Sequence, residues 1–334
     1  MNSWANRRVL VTGLNGFVGA HIAHDLLARE ATVIGLDRAR SFPSLRVLCG
    51  DRHPKVVVGD VTDLDDMLSL VDQVRPDVVV HLAGVSHIKD SQEAPWPAFH
   101  VNVMGTVAVL EAVRRVKPDT IVLCASSNHA YVGAYFGARI LPSTGRFNEL
   151  WPLLAGDVYG TSKAMCDRAV ACYRHSFGLR TAAVRHVNSY GPADPHATHL
   201  VTASILSCLM GAAPTLRGQG TAVKGYLHVA DVVSAYLTIA EHIDELHGHA
   251  VNVTSPDCEA SVRDIMRIVC EVAGIDPNRV QSEPGSVSDQ EGYEERLDAG
   301  NLLALGWRPR FNLHTGIADV MAWYRAHKGM EWLR

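Results

Sequence analysis

The sequence predicts a doubly wound α/β fold, a parallel sheet covered by helices on both faces, with a smaller α+β lobe toward the C-terminus. Three observations carry this. The apolar run Val9-Leu10-Val11 breaks into the glycine turn Gly13-Leu14-Asn15-Gly16-Phe17-Val18-Gly19 and enters a helical pattern at once. Near-continuous apolar runs of strand length then alternate with helical stretches, which argues right-handed β-α-β units and a buried parallel sheet. The chain has 334 residues, 47% hydrophobic and 20% charged, enough for a large core and long for one compact unit, so a second lobe is expected beside it.

A strand that turns through glycines into a helix brings a dinucleotide pyrophosphate onto the helix N-terminus. Gly13 permits the tight turn, Gly16 removes the Cβ that would hold the backbone off the phosphates, and Gly19 lets helix and strand pack closely. Asn15, Phe17 and Val18 complete the turn and join it as cofactor contacts. The next apolar run, 31–36, ends on Asp37. A carboxylate there accepts from both adenosine ribose hydroxyls and repels a 2′-phosphate, which favours NAD over NADP. Arg38 beside it offers a phosphate contact. The run 55–61 reads as a third strand whose end, Asp60-Val61, is where an adenine would lie, with the carboxylate accepting from the exocyclic amine. A helix over 64–74 leads into the buried strand 77–84. Its end, Leu82-Ala83-Gly84, is small enough for close passage of a cofactor. A helix over 99–116 precedes a fifth strand over 120–125.

That strand ends in Ser126-Ser127-Asn128-His129-Ala130-Tyr131, a hydroxyl-rich turn at the carboxyl edge of the sheet, where ligands of such folds bind. A helix then opens near Tyr159, with Lys163 one turn on and on the same face. An unaided phenol is a poor base near neutrality, and an ammonium alongside favours the phenolate. Tyr159 can then take a proton from a sugar hydroxyl while Ser127 holds that hydroxyl in line.

Glycine turn, Asp37 strand, serine turn and Y-x-x-x-K helix follow one another in the order of the extended short-chain dehydrogenase/reductase family, the NAD-dependent nucleotide-sugar epimerases and dehydratases. The chain resembles that family from Val9 to about Trp323. The resemblance implies a Rossmann domain over 1–187, with a returning segment near 228–254, and a nucleotide-sugar-binding lobe over 188–334. It implies a nucleotide-diphosphate-sugar substrate and a homodimer built from the helices over 99–116 and 159–175. The stretch 180–192 resembles the family's R-x-x-N-x-Y-G-P loop, in which Asn188 would touch the substrate phosphates. The stretch 218–231 resembles a nucleotide-contacting segment, with Lys224 where the family has Arg and Gly225 where it has Asp. Lys224 then offers a point charge in place of a bidentate fork. Arg296 is a second phosphate candidate and Ser86 a further substrate contact. Gly300 and Asn301 stand where the family's terminal motif usually has Ser-Lys.

Within the family the residues after the catalytic hydroxyl set the reaction. A 4,6-dehydratase uses an added acid/base pair there, usually Asp-Glu or Asp-Lys. Here the turn carries Asn128 and His129, which also resemble the substrate-holding turn of uronate dehydrogenases. A 4-epimerase needs only Tyr159, so epimerisation through a 4-keto intermediate is the most economical expectation, with a sugar whose C6 is a carboxylate held by Asn128 and His129 as a candidate substrate. Dehydratase, dehydrogenase or ketoreductase chemistry is the alternative, and an NAD-sensing binding protein on the same scaffold the remaining one.

A net charge of −4 gives no general attraction to nucleic acid or anionic membrane. The seven cysteines are scattered with no C-x-x-C pair, which reads as reduced cytoplasmic thiols rather than a disulfide framework or zinc site. No signal-peptide core or spanning apolar run is seen. Seventeen histidines are dispersed without metal-ligand spacing, and no metal is expected.

Overall fold

The computed structural model describes residues 3–39, 43–131, 142, 144–246, 249–283 and 296–327. The elements alternate as the sequence predicts: β1 (Arg8–Thr12), α1 (Phe17–Ala28), β2 (Thr32–Asp37), α2 (Pro43–Cys49), β3 (Lys55–Val58), α3 (Leu64–Val74) and β4 (Val78–His81). Next come α4 (Ile88–Glu93), α5 (Pro95–Phe99), α6 (Gly105–Val116), β5 (Ile121–Ala125), α7 (Val158–Phe177), β6 (Arg180–His186) and β7 (Asn188–Tyr190). The remainder supplies α8 (Leu200–Leu209), β8 (Leu216–Arg217), β9 (Val223–His228), α9 (Val229–Glu241), β10 (Val251–Val253), β11 (Glu259–Ser261), α10 (Val262–Ala273), β12 (Ser282–Glu283), α11 (Gly300–Ala304) and α12 (Leu313–Ala326).

The main sheet is parallel, in the order β10-β6-β5-β4-β1-β2-β3. Successive strand residues serve opposite faces. Val9, Val11, Val78, Val80, Leu123 and Val184 join one core, and Leu10, Val79, Val122 and Ala183 the other. β1 pairs with both β2 and β4, so the chain winds outward in both directions from that point, and the crevice beyond the carboxyl ends of the two central strands is the place for a ligand. A smaller three-stranded sheet, β11-β9-β7, and the pair β12-β8 lie in the C-terminal half.

Local signals stop and start the helices. Asp157 caps α7 by accepting from the Gly160 N–H at 2.9 Å, and Gly178 ends it at φ +71°, a conformation that favours glycine. The helix expected over 99–116 differs in detail. It is preceded by α5 and carries a π turn over His100–Met104, whose extra residue turns the Asn102 side chain against the end of β4. Asn102 accepts from Val85 N at 2.7 Å and donates to Val85 O at 3.1 Å and Ser162 Oγ at 2.8 Å, tying that loop to α7. All seven cysteines are free thiols. Among the described residues, no helix is long and apolar enough to cross a membrane.

Candidate active site

A cleft of about 620 Å³ lies where the crevice is expected. Gly13, Gly16, Phe17, Val18 and Gly19 line it, with Asp37, Arg38 and Val61 at one end and Leu82, Ala83, Gly84 and Ser86 beside the turn. Ser127, Asn128, His129, Tyr159, Lys163 and Asn188 line it as well, so most of the residues singled out in the sequence meet in one hollow.

The glycines are needed where they stand. Gly13 has φ +71°, and a Cβ there would lie 2.6 Å from Ala83 N, so the turn can approach the β4 loop only without a side chain. A Cβ at Gly19 would meet Gly13 O at 2.4 Å. Asp37 holds the turn, accepting from Asn15 N at 2.9 Å through one oxygen and from Ala39 N at 3.0 Å through the other. Each oxygen keeps lone-pair capacity for a further donor. Both amide atoms of the Asn15 side chain and the Ser126 hydroxyl are buried without a hydrogen-bond partner. A bare glycine cradle, a carboxylate with acceptor capacity and orphaned polar atoms are what a dinucleotide would satisfy, so these residues fit NAD. Arg38 reaches Asp60 at 3.9 Å, and Asp60 also accepts from Thr62, so those two side chains brace one another beside the adenine end.

Behind the turn, a buried relay fixes the floor. Thr106 donates to Asn102 O at 2.6 Å and so accepts from His81 Nε2 at 3.1 Å; His81 Nδ1 then accepts from the Thr12 hydroxyl at 2.7 Å. Burial pushes the His81 pKa down to about 3, which keeps the ring neutral and preserves this tautomer. Burial likewise lowers His186, in the cleft wall.

The catalytic candidates sit on two elements that nearly touch. Ser127 caps a single 3₁₀ turn over Asn128–Ala130; its Oγ accepts from His129 N at 3.2 Å and lies 3.3 Å from Asn128 Oδ1. A Cβ at Gly160 would lie 2.6 Å from His129 O, so α7 and this turn share backbone contact only because position 160 is glycine. That approach brings the His129 and Tyr159 rings to 5.9 Å between centroids. Lys163 is buried one turn on and donates to Ala125 O at 3.0 Å, which anchors the ammonium beneath the strand end.

Four candidates are not among the residues that line this hollow: Asn15 and Asp60 on the cofactor side, and Lys224 and Arg296 on the substrate side. Lys224 is not among its lining residues, although Tyr226, two positions on and on the same face of β9, is. A Cβ at Gly225 would sit 2.7 Å from Val187 Cγ1, which accounts for glycine at a position where the family carries Asp. Arg296 also lies outside the lining and faces Glu259 at 3.8 Å, a carboxylate that Arg146 already grips through two nitrogens. Arg185, the arginine of the R-x-x-N motif, is buried and bidentate to Asp167 at 2.7 and 2.8 Å, clamping β6 to α7.

The sequence gives Ser126 only as part of the turn, and it does not mark Asn102 or a group of histidines. His87, His196 and His199 all line the cleft, and their ring nitrogens lie within 4.8 Å of one another. The H-x-x-H spacing of 196–199 just after Asp194 was the one local signal; His87 comes from the other half of the chain and no spacing reveals it.

Comparison with known proteins agrees with this geometry. The family model described as NAD dependent epimerase/dehydratase family matches residues 9–254. A dTDP-glucose 4,6-dehydratase of Mycolicibacterium smegmatis is 32% identical over 98% of this chain and 95% of its own length. A putative UDP-glucose 4-epimerase of Methanocaldococcus jannaschii is 28% identical over 95% of this chain and 98% of its own. Among solved structures, the UDP-glucose 4-epimerase of Thermus thermophilus in complex with NAD is 30% identical, with a TM-score of 0.80 over 95% of this chain and 99% of that one. DesIV, a dTDP-glucose 4,6-dehydratase of Streptomyces venezuelae with NAD bound, is 27% identical with a TM-score of 0.81 over 98% and 100%. With the cofactor cradle, the tyrosine–lysine helix and a family match over most of its length, the chain belongs to the NAD-dependent epimerase/dehydratase family of nucleotide-sugar enzymes.

Proposed function

We propose that this protein is an NAD-dependent nucleotide-sugar 4-epimerase working through a 4-keto intermediate. The observation that carries this reading is the cleft's carboxylate inventory: among the described residues lining it, Asp37 at the adenosine end is the only one. The turn presents an amide and an imidazole to the cleft, Asn128 and His129, the latter with its ring 5.9 Å from that of Tyr159, where elimination of water calls for a carboxylic acid and its partner base.

NAD, when bound, supplies a hydride acceptor and later the hydride donor. The chain's own work is proton transfer and orientation. Tyr159 Oη takes the proton of the C4 hydroxyl as that carbon is oxidised and returns it when the ketone is reduced on its other face. Lys163, fixed by Ala125 O, holds its ammonium on the tyrosine side of the cleft, one turn from Tyr159 and on the same face of α7. Ser127 orients the substrate hydroxyl, and Asn188, at the start of β7, serves the diphosphate with Lys224 and Arg296 as outer cations. The lobe over 188–334 then holds the nucleotide and the segment 1–187 the cofactor. We assign the enzyme to the cytoplasm, where its free thiols stay reduced, and to a homodimer across α6, the π turn ahead of it and α7, a surface that leaves Met104 and Met165 half exposed.

Product analysis on nucleotide sugars tests the reaction. A C4 epimer formed without net cofactor change is the expected result. Loss of water to a 4-keto-6-deoxy sugar would establish the 4,6-dehydratase reading that the 32% identical relative favours; stoichiometric NADH would establish a dehydrogenase. His129 and Asn128 suit a sugar whose C6 is a carboxylate. His129→Ala is therefore expected to lower kcat/KM on a nucleotide uronate by about tenfold or more, the loss of a charge-assisted hydrogen bond of about 1.5–3 kcal/mol, and far less on the neutral hexose. Equal losses on both would remove the uronate.

A further inference from the structure

His87 caps α4, while His196 and His199 end the loop after β7, His199 standing just ahead of α8. Two halves of the chain thus deliver three imidazoles to one wall of the cleft. His87 Nε2 and His199 Nε2 are 3.1 Å apart, and the His196 ring lies 4.8 Å from that of His87 and 4.7 Å from that of His199, centroid to centroid.

The proton positions follow from the surrounding acceptors. Asp194 is 1% exposed; one oxygen accepts from His196 N at 3.0 Å, the other from Thr202 Oγ1 at 2.9 Å and from His199 Nδ1 at 2.8 Å. A buried carboxylate accepts, so Nδ1 of His199 carries the proton and Nε2 turns a lone pair toward His87. On His87 the far nitrogen, Nδ1, faces Asp90 at 3.6 Å, beyond hydrogen-bond reach, while Nε2 lies within it of the His199 lone pair. The His199 lone pair, the His87 Nε2 at hydrogen-bond distance from it and a third imidazole beside them form a donor set in which a cation can take the place of the shared proton.

We infer that His87, His196 and His199 form a three-imidazole site for a divalent late transition cation, zinc in the first instance, with its remaining coordination position open to the cleft. Two imidazole nitrogens, each about 2.0–2.1 Å from a tetrahedral zinc, stand about 3.3 Å apart, close to the His87–His199 separation. His196 is exposed, which leaves its side chain room to turn toward the other two. Nitrogen donors without a carboxylate select zinc and its neighbours over magnesium or calcium. Asp194 is the outer carboxylate that fixes a ligating histidine's tautomer and orientation. Because all three rings line the cleft, the open position takes water or an oxygen of whatever ligand lies there. The site requires nothing of the sugar assigned above and stands whether the reaction is epimerisation or elimination.

The test uses the chain purified without a polyhistidine tag, stripped with a chelator and titrated with zinc against a chromophoric competitor. About one zinc per chain is expected at submicromolar affinity, with a higher melting temperature on addition. His87→Ala and His199→Ala should each abolish that site, Asp194→Asn should weaken it by about 10–100-fold, and cobalt should give visible tetrahedral bands in the wild type only. Should His199→Ala fail to fold, His196→Asn at the exposed position replaces it. Zinc binding weaker than about 1 µM in the wild type, or an affinity unchanged in the histidine variants, would overturn the site.

Discussion

At the residue scale, the proposed chemistry rests on one phenol oxygen, and its removal is the most direct probe. Tyr159→Phe keeps the ring that packs near His129 and deletes only the proposed proton carrier. It is expected to lower kcat by about 10²–10⁴-fold with NAD binding retained, read by steady-state kinetics beside a cofactor titration. A loss in cofactor affinity as large as the loss in rate would make the residue a binding group instead. The roles of single residues were unevenly legible in the chain. Tyr159, Lys163 and Ser127 stand out in the sequence by type and spacing, and the structure brings all three to one cleft. Arg185 does not stand out, because its motif position says nothing of the buried carboxylate it meets from α7.

At the element scale, the site depends on how closely α7 approaches the turn after β5. Gly160→Ala would place a methyl 2.6 Å from a backbone carbonyl that has no side-chain freedom to yield. It is expected to destabilise the fold by about 1–3 kcal/mol in a denaturant titration and to reduce turnover at unchanged cofactor affinity, since the serine turn must shift. An unchanged unfolding midpoint would mean that the turn is free to move. Strands and the glycine turn were plain in the sequence because their signals are local: apolar runs, a break, a helical pattern. The π turn in front of α6 was not, since it arises from the Asn102 side chain meeting Val85 and Ser162, residues far off in the chain. The histidine group escaped for the same reason.

At the scale of the whole molecule, buried neutral histidines couple stability to acidity. Burial lowers His21 to about 4 and both His81 and His228 to about 3, while the unfolded chain protonates its histidines near the ordinary value of about 6.5. Below about pH 6.5 the unfolded state therefore binds more protons than the native one, and stability is lost as pH falls until the native values are reached. At about pH 5 each of the three has removed about 2 kcal/mol, a large share of the usual total of about 5–15 kcal/mol. Melting temperatures measured across this interval should fall steeply, and a flat profile down to about pH 4 would show that these rings titrate normally. The surface is the second global feature. Met165, 47% exposed on α7, is expected to be covered in the dimer, so Met165→Glu should convert a dimeric species to a monomer in light scattering; a monomeric wild type would dismiss that assembly.

The order of the strands also dictates when the sheet can be finished. β6 gains its outer neighbour only from Val251–Val253, in register from Val184↔Val251 to His186↔Val253, long after the other strands have been made. A nascent chain leaving the ribosome therefore carries a nearly complete sheet with a raw flank until those three residues emerge. Fragments cut short of them should be sticky and short-lived in the cell.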